Sequence, residues 1–307
     1  MKVLDWIKKL LFWPLIRKRM IIREHRIAAK YCRELISRYY QKKPVFNLAP
    51  KKVLPDKKII WQYWGQGFDD RHMPPLVRLC LDSVERYCDK EEYEIIRLSD
   101  KDISDYIDLP VGIAEKYKDT HRAFFSDLLR CCLLTVYGGA WLDATVLLTD
   151  KIPERYWKQE FFMFQRDDTE ANKDYWENAF SYYYGWNKRF RVNVLSSIFF
   201  SKKSNPLILD LRNILLLFCT LNEKLPNYFF FQILFNELLD VKYAQSNCML
   251  ESDCVPHYLQ QIINDEHFKI ASFEEALNLT SIHKLTYKSE GGYERLISLI
   301  EKYGCKI

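Results

Sequence analysis

The chain has 307 residues, of which 48% are hydrophobic and 28% charged, so it has enough apolar material to bury a large core. Nine glycines and 11 scattered prolines exclude collagen-like and low-complexity classes, and an aromatic content of 15% argues against global disorder. The net charge of +5 is unevenly distributed: residues 1–43 carry 13 Lys or Arg and three acids, which leaves 33 basic and 38 acidic residues in 44–307. The composition therefore predicts a basic N-terminal arm on a mildly acidic body.

Residues 1–43 are predicted to form this arm as a helix that is interrupted near Pro14. Its longest apolar run, residues 10–16, is too short to cross a bilayer, which needs about 20 residues, and no small-residue cleavage site marks a secretory signal. Cations and large apolar side chains are interleaved, as in helices that lie on anionic membranes. The residues concerned are Trp6, Ile7, Lys8, Lys9, Leu10, Leu11, Trp13, Arg17, Lys18 and Arg19.

We therefore expect the arm to make a peripheral contact with the inner face of the cell membrane. The alternative is a helix that packs on its own domain and exposes a solvated basic face. Nucleic acid is not expected as a partner, because the body is acidic and no nucleic-acid motif is present. The nine cysteines include no Cys-x-x-Cys pair, which favours reduced thiols in a cytoplasmic protein over a zinc ribbon or a thioredoxin motif.

After the arm, a proline-containing linker (residues 44–56) leads into one predicted domain (residues 57–307) in which strands alternate with helices. β-prone runs predict strands at 57–64, 92–98, 140–149, 161–165 and 194–200. Helical periodicity predicts helices at 75–87, 122–137, 206–218, 226–239 and 293–303. This alternation predicts an α/β domain with a mostly parallel central sheet.

Three charged residues stand out in the clearest helix (residues 122–137) and in the strand that follows it. Asp127 and Arg130 are three positions apart, so they project from the same side of the helix. Asp143 interrupts an otherwise apolar strand, where an ionised carboxylate is costly to bury without a cation or donors, and α/β sheets place ligand groups at such strand ends. A surface ion pair for Asp127 and Arg130, and a turn or capping role for Asp143, remain alternatives.

These residues belong to three segments that resemble glycosyltransferase family 32, and in particular the bacterial capsular polysaccharide synthesis glycosyltransferases. Members of these groups have an Ile-Ile-x-x-x-Trp strand, then a Ser-Asp-x-x-Arg helix, then Gly-Gly-x-x-x-Asp-x-Asp. The corresponding residues here, in the same order, are Ile59, Ile60 and Trp64; Ser126, Asp127 and Arg130; and Gly138, Gly139, Asp143 and Thr145.

The resemblance implies a GT-A fold, a nucleotide-diphosphate sugar donor such as a UDP-sugar, a divalent cation (Mn²⁺ or Mg²⁺), and retention of anomeric configuration. It assigns Trp64 to stacking on the nucleotide base, although a core aromatic is the alternative. It assigns Asp127 and Arg130 to hydrogen bonds with the donor sugar and ribose. Asp143 would lie at the junction of ribose, diphosphate and metal, and these three charged residues are the catalytic candidates.

The chain departs from the family motif at one position, where Thr145 replaces the second Asp. A hydroxyl is a poorer ligand for a divalent cation than a carboxylate, so another protein group is expected to join Asp143 at the metal. Relatives of the GT-A type use a late histidine there, which suggests His283, with Lys284 and Lys288 on the phosphates. A purely structural role for His283 remains the alternative.

The candidate residues for binding the acceptor are Gln165, Asn193 and Trp186. No nucleophilic carboxylate is apparent, so the resemblance suggests front-face departure and attack. The expected function is transfer of a hexose from a UDP-sugar to a lipid-linked glycan in capsular or surface polysaccharide synthesis. The alternatives are a non-catalytic binding or assembly protein, which the replacement at Thr145 suggests, and another nucleotide-using transferase such as a phosphosugar transferase.

Overall fold

The computed structural model describes residues 2–69, 71–118, 120–221, 224–246, 248–265 and 267–305, and it describes side-chain environments from residue 16 onwards. The strands are β1 (Lys58–Tyr63), β2 (Tyr93–Leu98), β3 (Gly139–Leu142), β4 (Val146–Leu148), β5 (Phe161–Gln165), β6 (Val194–Ser201) and β7 (Ile282–Lys284). The helices are α1 (Lys2–Lys42), α2 (Pro75–Tyr87), α3 (Ile113–Tyr117), α4 (Arg122–Tyr137), α5 (Glu154–Trp157), α6 (Lys173–Ala179), α7 (Pro206–Thr220), α8 (Phe230–Lys242), α9 (Tyr258–Asn264), α10 (Phe273–Leu279) and α11 (Gly292–Tyr303).

The central sheet has five strands in the order β2-β1-β3-β6-β5. β1 pairs in parallel with both β2 and β3, whereas β6 runs antiparallel to β3 and to β5. Four of the five strands therefore point in the same direction. The prediction of an α/β fold with a mostly parallel central sheet is confirmed.

The predicted strand over residues 140–149 is wrong as a single element, because the chain leaves the central sheet after β3. The backbone N–H of Asp143 still donates to the carbonyl of Ser197 in β6 at 2.9 Å, and a turn follows in which the N–H of Val146 donates to the carbonyl of Asp143 at 2.8 Å. β4 then pairs antiparallel with β7 in a separate two-stranded sheet. Apolar residues occur on both sides of the turn because β4 and all of β3 except Gly139 are buried.

The glycine pair between α4 and β3 does more than end the helix. Gly139 has a φ of +103°, and a Cβ at this position would lie 2.4 Å from the carbonyl oxygen of Ile59 in the neighbouring β1. Gly138, with a φ of +77°, approaches the backbone of Lys203 in the same way. Only glycine combines a positive φ with this close approach, so the pair allows β3 to enter the sheet directly beside β1.

The chain forms two compact units, and the division into an arm (1–43), a linker (44–56) and one domain (57–307) stays a prediction. The first unit contains Met1–Pro44, Asp168–Asn193 and Leu217–Ser246. The second contains Val45–Asp167, Val194–Leu216 and Asn247–Ile307, and therefore both sheets. Among the described residues, no helix combines the length and apolarity that a membrane crossing requires.

In the first unit, α1 continues through Pro14, where an interruption was predicted. Proline removes one helical hydrogen bond, but the residues on both sides of Pro14 remain helical. The second half of α1 packs against α8 with a buried stripe at helical spacing. The stripe consists of Ile21, His25, Ala28, Ala29, Cys32, Leu35, Ile36 and Tyr39. The predicted interfacial residues Trp6 to Trp13 lie outside the described side chains.

Candidate active site

Polar and aromatic residues gather where the three adjacent parallel strands β1, β2 and β3 end. Trp64 directly follows β1, Asp100 lies two residues after β2, and Asp143 directly follows β3. The carboxyl ends of parallel strands meet at one edge of a sheet. These three residues therefore mark the edge at which the sequence motifs predict a ligand.

Arg130 in α4 is the central cation of this edge. Its Nη1 lies 2.7 Å from Oδ1 of Asp127, and its Nη2 lies 3.2 Å from Oδ1 of Asp143. Nη1 also donates to the carbonyl oxygen of Ser196 in β6 at 2.7 Å, and Nη2 donates to Oγ of Ser126 at 3.2 Å. The side chains of Arg130 and Asp127 are only 4% and 10% exposed, so this is a buried charge cluster and not a surface ion pair.

Asp143 remains 26% exposed at its side chain and is held by donors from two elements. Besides Arg130, its Oδ1 accepts a hydrogen bond from the indole Nε1 of Trp141 at 2.8 Å. Trp141 also lies beneath the guanidinium of Arg130, with 5.2 Å from Cζ to the ring centroid. Sequence reasoning missed Trp141, although its place two positions before Asp143 in an extended segment was a usable signal.

The buried carboxyl group of Asp127 has a raised pKa. Burial raises its pKa from the ordinary value of 3.8 to about 6. The neighbouring charge of Asp143 acts in the same direction, while the guanidinium of Arg130 opposes it. Asp127 is therefore a carboxyl group whose charge depends on pH close to the physiological range.

Lys284 of β7 lies over the turn between β3 and β4. Its Nζ donates a hydrogen bond to Oγ1 of Thr145, lies 3.8 Å from Oδ2 of Asp143, and donates to the carbonyl of its neighbour Leu285 at 3.1 Å. Desolvation lowers the pKa of Lys284, while the charge of Asp143 opposes that shift. The predicted phosphate-binding lysine therefore contacts both side chains of the Asp143–Thr145 motif.

His283, the predicted second metal ligand, lies opposite Leu147 in the β4–β7 pair and is completely buried. Its Nε2 is 3.1 Å from Oγ1 of Thr149, and its Nδ1 has no hydrogen-bond partner among the residues that the structure describes. Burial lowers the pKa of His283 to about 3, so the imidazole is neutral. This environment resembles that of a core histidine.

The side chains present do not form a cation site by themselves. Among the described residues, no group of three or more His, Cys, Asp or Glu side chains is arranged to hold a metal ion. The carboxylate of Asp143 is already engaged by Arg130 and Trp141, and the Nε2 of His283 faces Thr149. The divalent cation and its two ligands, Asp143 and His283, stay predictions from the resemblance.

Trp64 lies half-buried at the same edge, against a small apolar cluster formed by Met73, Val77, Leu81 and Ala144, on which Phe68 also packs. Its ring meets that of Tyr287 edge-on, with centroids 5.5 Å apart at 81°. Ala144 lies between Asp143 and Thr145, so Trp64 packs next to the charged turn. Lys288 is exposed and follows Tyr287.

A second polar cluster, which sequence reasoning missed, lies at the ends of β1 and β2. The hydroxyl of Tyr63 donates to Oδ1 of Asp100 at 2.5 Å, and the Nη1 of Arg122 lies 3.3 Å from Oδ2 of Asp100. A Cβ on Gly65 would collide with the guanidinium of Arg122. The position of Asp100 just after a parallel strand was the signal that could have identified it.

The three acceptor candidates do not fall in one unit. Gln165 ends β5 in the second unit, where its backbone exchanges hydrogen bonds with the segment at Glu251 and Asp253. Trp186 and Asn193 belong to the first unit, where Trp186 stacks on Tyr184 with ring centroids 6.2 Å apart. Their role toward an acceptor stays a prediction.

The first unit has a cleft of about 770 Å³ whose charged lining is entirely basic. It is lined by Arg23, Arg26, Ile27, Ala29, Lys30, Arg33, Lys188, Arg189 and Arg191. Glu237, which is 1% exposed, pairs with Arg33 at 2.5 Å and Arg191 at 2.6 Å. Within the described part of the chain, Arg23, Arg26, Lys188 and Arg189 make no ion pair, so the cleft exposes uncompensated positive charge.

Comparison with known proteins gives a family match over most of the chain. The family described as "Capsular polysaccharide synthesis protein" matches residues 13–303, a range that includes most of α1. Among solved structures, the PaToxG glycosyltransferase aligns over 94% of this chain and 96% of its own, at 14% identity and a TM-score of 0.36. No curated protein matches the chain.

Proposed function

Because this chain belongs to the capsular polysaccharide synthesis protein family, we propose that it is a glycosyltransferase that uses a nucleotide-diphosphate sugar. The donor would be a UDP-sugar, and the acceptor a lipid-linked glycan in capsular or surface polysaccharide synthesis. The supporting observation is the charge cluster of Asp127, Arg130 and Asp143, three motif residues that meet at the carboxyl edge of the parallel strands. A GT-A arrangement and assignment to glycosyltransferase family 32 are part of this proposal.

The donor is proposed to bind across this edge. Trp64 offers an indole for the base, and Asp127 and Arg130 offer an acceptor and a donor for hydroxyl groups of the sugar and ribose. Asp143 lies between them and Lys284, where the ribose and the diphosphate would meet. Lys288 follows on the exposed side as a second phosphate partner.

The proposed reaction retains the anomeric configuration. The bond between the anomeric carbon and the diphosphate oxygen breaks, and its electron pair stays on the diphosphate. The acceptor hydroxyl attacks from the same face, and its proton passes to the leaving diphosphate. The site would accelerate this step by stabilising the charge that develops on the leaving group.

Donor turnover tests the proposal directly. We expect the protein to release UDP from a selected UDP-sugar, and Asp143→Asn to reduce the rate at least ~100-fold, the size usual for loss of one electrostatic contact to a transition state. Asp108→Asn, at an exposed carboxylate paired with Lys51, is the matched control. A thermal-shift screen of nucleotide sugars identifies the donor, because a selective ligand raises the melting temperature. A folded protein that binds no nucleotide sugar would contradict the proposal.

We further propose that the first unit holds the enzyme at the cytoplasmic face of an anionic membrane. The basic cleft and the cations of α1 support this, because phosphate headgroups attract exposed Lys and Arg by about 1 kcal/mol each near the surface. A lipid-linked acceptor resides at that surface, so attachment would bring the enzyme to its substrate.

Vesicle sedimentation tests the membrane contact. The double variant Arg23→Glu/Arg26→Glu should lose most of its binding to vesicles that contain phosphatidylserine, while Lys90→Glu/Lys269→Glu, with the same change in net charge at exposed sites of the second unit, should retain it. Equal loss in both variants would show that net charge alone is responsible, and unchanged binding in both would exclude the cleft.

A further inference from the structure

The ammonium group of Lys284 occupies the turn in which the family motif places its two acids. Nζ is hydrogen-bonded to Oγ1 of Thr145 and lies 3.8 Å from Oδ2 of Asp143. These two side chains hold the first and second acidic positions of the motif. A positive charge supplied by the protein therefore already lies between them.

This placement is fixed by strand pairing and not by a loose loop. Val146 pairs with Lys284 in the β4–β7 ladder, and the N–H of Leu285 donates to the carbonyl of Thr145 at 3.0 Å. The flanking Ile282 and Leu285 are buried, at 0% and 1% exposure. The backbone of Lys284 is thus anchored on both sides, while 22% of the surface of its side chain is exposed and accessible to a ligand.

The charges of the site balance when Lys284 is counted as part of it. Asp127 and Asp143 contribute two negative charges when ionised, and Arg130 and Lys284 contribute two positive ones. An acid at Thr145 would leave the cluster with one excess negative charge, which a bound cation would have to offset. With threonine there, the cluster is neutral. The 3.8 Å between Nζ of Lys284 and Oδ2 of Asp143 exceeds the roughly 2.9 Å of a charge-assisted hydrogen bond, so this carboxylate does not fully engage the ammonium.

We infer that Lys284 itself supplies the positive charge that holds the donor's diphosphate at this turn, so that nucleotide binding needs no divalent cation. This inference rests on the proposed function. When the glycosidic bond breaks, the electron pair stays on the diphosphate, and the nearby ammonium stabilises the added charge without changing its own bonds. Lys284 then takes the place of the cation that the second motif acid, here replaced by Thr145, would help to bind.

Isothermal titration with UDP tests the inference on the unmodified protein. We expect the Kd of the wild-type protein in EDTA to lie within about 3-fold of its value in Mn²⁺. Lys284→Met should weaken binding by about 10- to 100-fold, the range for a charge-assisted hydrogen bond, and Lys284→Arg should recover part of it. Lys269→Met, at an exposed lysine outside the site, is the control and should bind as the wild type does.

A converse variant makes the test independent of any loss of folding. In Thr145→Asp/Lys284→Met, UDP binding should become dependent on Mn²⁺, and the electron paramagnetic resonance spectrum of Mn²⁺ should show the ion bound. Wild-type binding that falls more than about 10-fold in EDTA would overturn the inference and leave the proposed function standing. Absence of UDP binding in both EDTA and Mn²⁺ would remove the proposed function, and the inference with it.

Discussion

Arg130 and Asp143 are joined across two elements: Nη2 of Arg130, in the middle of α4, lies 3.2 Å from Oδ1 of Asp143, at the end of β3. The same guanidinium contacts Asp127 and the Ser196 carbonyl. One cation therefore joins α4, the end of β3 and the antiparallel strand β6 at a single point. Loss of that cation should affect both folding and ligand binding.

Arg130→Gln should destabilise the protein by about 3–5 kcal/mol, because it leaves the buried carboxylate of Asp127 without its partner. Urea denaturation provides the measurement. Arg71→Gln, at an exposed ion pair with Asp69, should change the midpoint little. If Arg130→Gln unfolds at the same urea concentration as the wild type, the cluster is not a structural determinant of this edge.

Binding of the donor should depend on the ionisation of Asp127. Its carboxylate must be charged to accept hydrogen bonds strongly from sugar hydroxyls, and burial raises its pKa to about 6. Affinity for a UDP-sugar should therefore rise as the pH increases from about 5 to about 7. In Asp127→Asn, binding should be weaker and lack this step; an unchanged step would assign it to another group.

The contribution of Asp127 to the stability of the fold should fall as the pH rises, whereas donor affinity should rise. A carboxyl group with a folded-state pKa of about 6 and an ordinary value of 3.8 binds its proton more tightly in the folded state. Its contribution to stability is present at low pH and is lost as the pH rises from about 4 to about 6. The stability of the wild type relative to Asp127→Asn, measured by urea denaturation, should fall across that window.

Trp64→Ala should weaken UDP binding by about 5- to 150-fold, the range that corresponds to one stacked base. Phe68→Ala provides the comparison, because Phe68 packs on the same apolar cluster as Trp64 but carries no indole for stacking. Titration calorimetry measures both variants. Equal losses in the two would indicate that disruption of the cluster, and not the missing indole, causes the effect.

Gly139→Ala should be among the most damaging small substitutions in the second unit. The added methyl group would lie 2.4 Å from the Ile59 carbonyl at a φ of +103°, so β3 and β1 would have to separate. Gly67→Ala isolates the backbone cost, since Gly67 has a φ of +88° with nothing within 4 Å of the added carbon. Thermal unfolding should show a clearly larger loss for Gly139→Ala than the roughly 1 kcal/mol expected for a positive φ alone.

The local elements were predictable because their signals are local. The helix at 122–137 agrees with α4 at both ends, since its apolar residues follow the helical period and two glycines stop it. The charged motif was predictable for a similar reason, since Asp127, Arg130 and Asp143 lie within one helix–turn–strand segment.

The remaining features depend on contacts between residues that are distant in sequence. The turn after β3 lies between two apolar runs, and only the pairing of β4 with β7 shows that these runs are separate strands. Lys284 and Thr145 are separated by 139 positions, so no periodicity relates them. The Trp141 indole and the Ser196 carbonyl likewise become partners of the charged residues only once the sheet has formed.

The burial of the second half of α1 means that the N-terminal arm is not a detachable tether. A continuous helix of 41 residues is a rod of about 60 Å, and one end of it is part of a folded core. Removal of residues 1–43 would uncover α8 and take Arg33 away from Glu237. Such a protein would report on unfolding and not on membrane attachment, so an informative truncation has to end before Ile21.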